Sequence, residues 1–328
     1  MRMIIAAGAA VAALLGLSTA GAAEPVTLRY GQIANSARSV SSLALTVAQR
    51  KGFLAQEGID LKVVGLAGTS HQVEALDRGE VELSHTALPY LVEAVLKGSH
   101  SVGIVGAPAN TIYSLMAQPQ IKSFADLRGK LIGLSLPIDT ISIATRMLLQ
   151  KHGLGDQDYH TKELVGTPIR AKCLEGGECA AVPLGQPDDI VAAQKGFAKL
   201  GDSLEVIPRL QFSVIAARRD WAEANRDAVL HFTRAFAAAY RFMRAPENRE
   251  EMTRIAADTT GAPPDIARAV LDFFYEPDRG VMPKQAEIDM AGVDAVIALL
   301  GQTGELSAPL PAADRFVDVQ YLKAAGLE

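Results

Sequence analysis

From Val26 to Ala217 short apolar runs alternate with amphipathic stretches, many closed by a glycine, and no low-complexity linker interrupts them. Such a chain has few folding solutions, because each buried strand must be covered by the helices that alternate with it. The first round predicts strands at 26–32, 61–65, 81–84 and 102–106. Helices are expected between them, over 39–50, 70–79 and 88–97. Val40, Leu43, Ala44, Val47 and Ala48 share one face of the first helix. Ser39 and Ser70 stand as candidate N-caps, and Gly52, Gly79 and Gly98 as stops.

A second round predicts strands at 111–118, 131–136, 179–184, 204–207 and 212–217. Its helical segments are 123–127, a strong helix to His152 capped by Asp139 or Thr140, 167–175 and 190–195. The character then turns helical. Trp221 to Arg244 reads as one long helix or two, stopped by Pro246, and 249–258, 264–275 and 286–301 follow. Two α/β rounds and a helical tail without a linker imply that the chain builds one lobe, crosses to a second, and returns.

The first residues bear on compartment. Arg2 precedes the apolar run Met3 to Leu17, and small residues occupy Ser18 to Ala23. That order predicts a secretory signal peptide over residues 1–23, cleaved after Ala22 or Ala23. The run is short for a membrane anchor, and no cysteine stands near the cleavage region to carry a lipid. About 305 residues then remain, enough for two lobes of ordinary size. A formal net charge of −5 leaves no electrostatic footprint for nucleic acid or anionic membrane, and a monomer is expected. Cys173 and Cys179, six positions apart, form a disulfide candidate in an oxidising compartment. They lack the spacing of a redox or metal pair, so neither a metal nor a cofactor is expected.

Four segments, in order, carry a family resemblance: Leu45 to Asp60, with its Gly52-Phe53-Leu54 and Gly58-Ile59; Ala75 to Leu83, reading ALDRGEVEL; Lys122 to Gly133, reading KSFADLRGKLIG; and Pro183 to Pro187. Together they resemble the periplasmic substrate-binding proteins of ABC transporters for nitrate, sulfonate and taurine, and the related thiamine-pyrimidine-precursor (NMT1/THI5-like) proteins. The similarity runs from about Val26 to about Phe242. It implies an α/β fold of two lobes with mixed sheets, joined by two hinge crossovers, with a helical C-terminal region. Lobe one would comprise 24–107 plus 207–328, and lobe two 108–206. It also implies a periplasmic protein that takes a small solute in the interlobe cleft and delivers it to an ABC permease in the inner membrane.

In such sheets ligands sit beyond the carboxyl ends of strands, against helix N-termini whose free N–H groups favour anionic groups. The candidate ligand-binding residues are therefore Asn35, Ser36, Arg38 and Ser39 after the first strand, and Thr69 and His71 after the second. His85 and Thr86 follow the third, Asp139 and Thr140 belong to lobe two, and Gln186 and Gln211 lie near the crossovers. Arg38, the only cation of its loop, is a candidate clamp for a carboxylate or sulfonate. Ser39, Ser70 and Asp139 are equally readable as plain N-caps, each worth about 1 kcal/mol.

Catalytic patterns are missing from the sequence: no GxSxG elbow, HExxH, Walker A or GxGxxG after a strand occurs. Asp188 and Asp189 are adjacent, so on a helix they diverge by about 100°. The cysteine-rich motif of the yeast-type pyrimidine synthases is also lacking. The expectation is a non-enzyme that binds a small, anionic organic solute. The alternatives are a pyrimidine or aromatic ligand lined by Tyr90, Tyr113 and Phe212, a sensor that reports to a signalling receptor, and, last, a pyrimidine-synthase-like enzyme.

Overall fold

The computed structural model describes residues 24–110, 112–275 and 280–327. The expected signal peptide and Thr111 lie outside the described residues. Among the described residues ten strands are formed, beginning with β1 (Val26–Ile33), β2 (Ile59–Leu66), β3 (Leu83–Ala87), β4 (Ser101–Gly106) and β5 (Ser114–Ala117). They continue with β6 (Leu131–Leu134), β7 (His160–Glu163), β8 (Ala181–Leu184), β9 (Ala198–Asp202) and β10 (Ser213–Arg218). They divide into two five-stranded sheets, ordered β2-β1-β3-β10-β4 and β7-β6-β8-β5-β9. In the first, β1 runs parallel to β2 and β3, while β10 is antiparallel to β3 and β4. The second repeats the pattern: β6 runs parallel to β7 and β8, while β5 is antiparallel to β8 and β9. In each sheet the antiparallel strand is the one reached by crossing over.

The crossovers hydrogen-bond to each other. Phe212 N–H donates to Ala109 O at 2.6 Å, and Ser203 N–H to Tyr113 O at 3.0 Å. The Asn110 side-chain amide donates to Pro208 O at 3.0 Å. Paired in this way, the two segments form one ribbon between the sheets, which explains why the sequence shows no linker there.

The helices are α1 (Leu43–Arg50), α2 (Phe53–Gln56), α3 (Thr69–Asp77), α4 (Leu88–Leu96), α5 (Thr140–Lys151), α6 (Thr167–Glu175) and α7 (Asp188–Gln194). The C-terminal part adds α8 (Arg219–Ala224), α9 (Arg226–Arg244), α10 (Arg249–Thr260), α11 (Pro264–Tyr275), α12 (Met290–Gln302) and α13 (Gln320–Ala324). In α9, Val229, Phe232, Phe236, Tyr240 and Met243 recur every three or four residues and are buried. Asp227 in its first turn and Arg241 and Arg244 in its last match the helix dipole. Its aromatic face meets Tyr30 of β1, with ring centroids 6.2 Å from Phe232 and from Phe236. This stack anchors the tail to the first sheet, and truncating Phe232 to Ala would cost about 3–5 kcal/mol.

Several expectations are corrected. The strand expected at 204–207 is instead a 3-10 turn, Ser203–Glu205. Asp202 and Glu205 form a capping box there, so the local N–H groups are satisfied without a partner strand. The strand lies just before it, as β9. The exposed edge strand β7 escaped the sequence reading because His-Thr-Lys-Glu carries no apolar signal. The first helix begins at Leu43, preceded by 3-10 turns over Ala34–Arg38 and Val40–Ser42. The last long helix begins at Met290 instead of Ala286, because Ala286 takes φ 73°. The Glu287 carboxylate accepts the N–H groups of Lys284 and Gln285 in the same turn, each at 2.7 Å. The Trp221–Arg244 region is two helices, and Cys173 and Cys179 are joined as a disulfide.

Candidate functional site

The strand-end loops of the two sheets approach each other. On the first sheet, the loop after β1 is knitted by one carbonyl. Ser36 O accepts the Ser39 N–H at 3.0 Å, the Ser39 hydroxyl at 2.7 Å and the Ser42 hydroxyl at 2.5 Å. Ser39 therefore turns back into its loop and does not cap a helix, contrary to the sequence reading. Asn35 lies on the same 3-10 turn. Arg38 is exposed, and no carboxylate among the described residues pairs with it.

After β2, Gly68 takes the N-cap position of α3 with no side-chain cap, and Thr69 opens the helix. Ser70 does not cap it either; its hydroxyl lies 3.5 Å from Nδ1 of the exposed His71. The buried Gln72, which sequence reasoning passed over, donates its amide to His85 O and ties α3 to β3. Thr86 is buried. His85 turns toward the crossover, its Nε2 3.0 Å from the Ser213 hydroxyl, which donates to Pro108 O at 3.2 Å. Since that hydroxyl spends its proton on Pro108, the ring donates and the hydroxyl accepts. Loss of solvation pushes the His85 pKa down to about 4.

On the second sheet, Asp139 holds the N-cap position of α5 but its side chain makes no cap hydrogen bond. It is diverted. Oδ2 accepts the Ser135 hydroxyl and the Leu136 N–H, the latter at 3.3 Å. Oδ1 accepts the hydroxyl of Tyr90, from α4 of the other sheet, at 2.7 Å. Burial, and then the Asp139 charge and hydrogen bond, raise the Tyr90 pKa. Thr140, the first residue of α5, is buried. Gln186 points to an internal carboxylate: its amide donates to Asp189 Oδ2 at 2.8 Å, beside the Ser114 hydroxyl at the same distance. Gln211 is fully buried, its amide donating to Ser213 O at 2.7 Å and its Oε1 accepting the Asp289 N–H at 2.7 Å. It links the return crossover to the start of α12.

The structure thus joins the start of α4 on one sheet to the 135–140 loop before α5 on the other through Tyr90 and Asp139. Among the described residues, no group of three or more His, Cys, Asp or Glu side chains is placed to hold a metal ion. No described helix is long and apolar enough to cross a membrane.

Residues 40–249 match the model of the family described as NMT1/THI5 like. The chain belongs to that family. Solved structures repeat the NMT1/THI5-like architecture. The periplasmic nitrate-binding protein NrtA from Synechocystis PCC 6803 superposes with TM-score 0.73 at 17% identity, over 92% of this chain and 89% of that one. The alkanesulfonate-binding protein SsuA from Xanthomonas axonopodis pv. citri, bound to MOPS, gives 0.69 at 20%, over 90% and 99%. The desulfurization enzyme DszB gives 0.69 at 17%, over 91% and 98%. At these identities the likeness is one of fold, a two-lobed periplasmic-binding-protein fold. No curated protein sequence matches this NMT1/THI5-like chain.

Proposed function

We propose that this chain is the periplasmic solute-binding component of an ABC importer, taking a small anionic organic solute between its lobes. The observation that carries this reading is the meeting of the two sets of strand-end loops at Tyr90 and Asp139. A contact that exists only while the lobes are together is what ligand-driven closure needs. We take lobe one as 24–107 plus 207–328 and lobe two as 108–206, hinged on the paired crossovers. The cleft residues would be drawn from Asn35, Ser36, Ser39, Thr69 to His71, Thr86, Asp139 and Thr140. Family membership and binding-protein neighbours support a partner permease and a periplasmic location, as does the apolar segment before Glu24.

The fold by itself does not separate binding from catalysis, since an enzyme shares it. The binding reading is preferred because the buried polar groups at the strand ends are engaged in hydrogen bonds instead of converging as a nucleophile and base. The test is reconstitution. Protein added to proteoliposomes holding the ABC importer it is proposed to serve should stimulate ATP hydrolysis in the presence of its solute. Turnover of that solute by the protein alone would replace this reading with an enzymatic one.

A further inference from the structure

Arg170, on α6, is buried at 3% exposure, yet no carboxylate among the described residues accepts a hydrogen bond from it. Its Nε donates to Pro183 O at 2.8 Å, its Nη1 to Leu164 O at 3.0 Å, and its Nη2 to the Thr167 hydroxyl at 3.1 Å. All three acceptors are neutral. Two of its five N–H groups, one on each Nη, have no acceptor among the described residues. Because β6 lies between β7 and β8, a guanidinium that reaches Leu164 beyond β7 and Pro183 on β8 spans the end of β6. That is where the Ser135–Asp139 loop begins and α5 starts. The Asp139 and Asp188 charges offset part of the cost of burying it, but neither accepts its free N–H groups, and an incoming anion would supply those acceptors.

The start of α5 shows the same surplus of donors. Asp139, which would ordinarily cap it, is turned to Tyr90, Ser135 and Leu136, so the N–H groups of Thr140 and Ile141 have no acceptor among the described residues. One residue further, the Ser142 hydroxyl is fully buried and unpartnered. Of the carboxylates nearby, Asp189 is served by Ser114 and Gln186, and Asp139 by its three partners, while Asp188 acts on Arg170 by charge without accepting a hydrogen bond from it.

We propose that Arg170 and the N-terminus of α5 form the anion seat of the cleft, and that they set the preference for an oxyanionic solute such as a carboxylate, sulfonate or phosphonate. The inference rests on the solute-binding reading and moves the decisive charge from the exposed Arg38 in lobe one to a buried guanidinium in lobe two. Rigid, desolvated donors discriminate better than a solvated side chain, since an ion pair is weakly screened there.

The test is calorimetry of the whole protein with butanoate, butane-1-sulfonate and butylphosphonate against uncharged butanamide, in wild type, R170Q, R170K and R38A. At least one anion should bind the wild type about tenfold or more tightly than butanamide, a difference of about 1.4 kcal/mol. R170Q should bring that ratio close to one with circular dichroism unchanged, R170K should retain most of it, and R38A should leave it intact. A wild type that prefers butanamide overturns the inference, as does an R170Q protein that keeps the ratio or an R38A protein that loses it. Native mass spectrometry of wild type from its own periplasm adds a reading that needs no variant. A co-purifying acid supports the inference, and a co-purifying uncharged solute sinks it while leaving the binding reading in place. Neither a bound solute nor a response to any of the four probes would sink both.

Discussion

The Tyr90 hydroxyl and the Asp139 carboxylate meet at 2.7 Å, one on the first lobe's α4 and the other before the second lobe's α5. A hydrogen bond to a charged group is worth about 1.5–3 kcal/mol. Tyr90→Phe keeps the ring and removes only the donor. We expect it to weaken solute affinity by about tenfold and to raise the radius of gyration of the liganded protein in small-angle scattering. Affinity and scattering identical to wild type would show that closure does not use this bond.

His85 makes stability depend on pH. Its folded pKa, about 4, lies below the ordinary imidazole value of 6.5 because burial disfavours the cation. Above pH 6.5 the ring is neutral in both states. Between 6.5 and 4 the unfolded chain binds a proton that the folded one refuses, so stability falls as pH drops through that window. Urea midpoints measured from pH 7.5 to 4.5 should show a steeper decline in wild type than in His85→Gln. Parallel declines would assign the pH response to other groups.

The disulfide between Cys173 and Cys179 closes a short loop from α6 to the strand β8. Loop-closure entropy for so few residues is about 2 kcal/mol. The double variant Cys173→Ser/Cys179→Ser should melt roughly 4–8 °C lower, at about 2–4 °C per kcal/mol for a chain of this size class. Adding reductant should lower the wild-type melting point in the same direction and leave the variant unmoved.

Gly106 closes β4 against the turn before α12. A Cβ there would lie 1.8 Å from Glu287 O, while its own N–H donates to Ala286 O at 2.8 Å. Gly106→Ala must displace backbone, so we expect a loss of several kcal/mol and little soluble protein. Near-wild-type melting would show that the 286–289 turn yields.

The apolar periods from Val26 to Ala217 determined the α/β class, most strands and the helical tail, because burial imposes its repeat on each segment locally. Four ordered segments determined the family, and six-residue spacing made Cys173 and Cys179 a plausible pair. The sequence also marked the right loops, since strand-end glycines and small polar residues are local signals. Roles within those loops were decided by tertiary structure. Asp139 and Ser39 read as caps, but an acceptor or donor brought from elsewhere competed for each: Tyr90 across the lobes for Asp139, and the Ser36 carbonyl for Ser39. Gln186 and Gln211 looked like cleft donors until buried partners claimed them. Arg170 sat unremarked in a helix, because only the order β7-β6-β8 places its guanidinium over the end of β6. Hydrogen bonds between residues far apart in the chain leave no periodic trace in a sequence, and they decide which side chains remain free to meet a ligand.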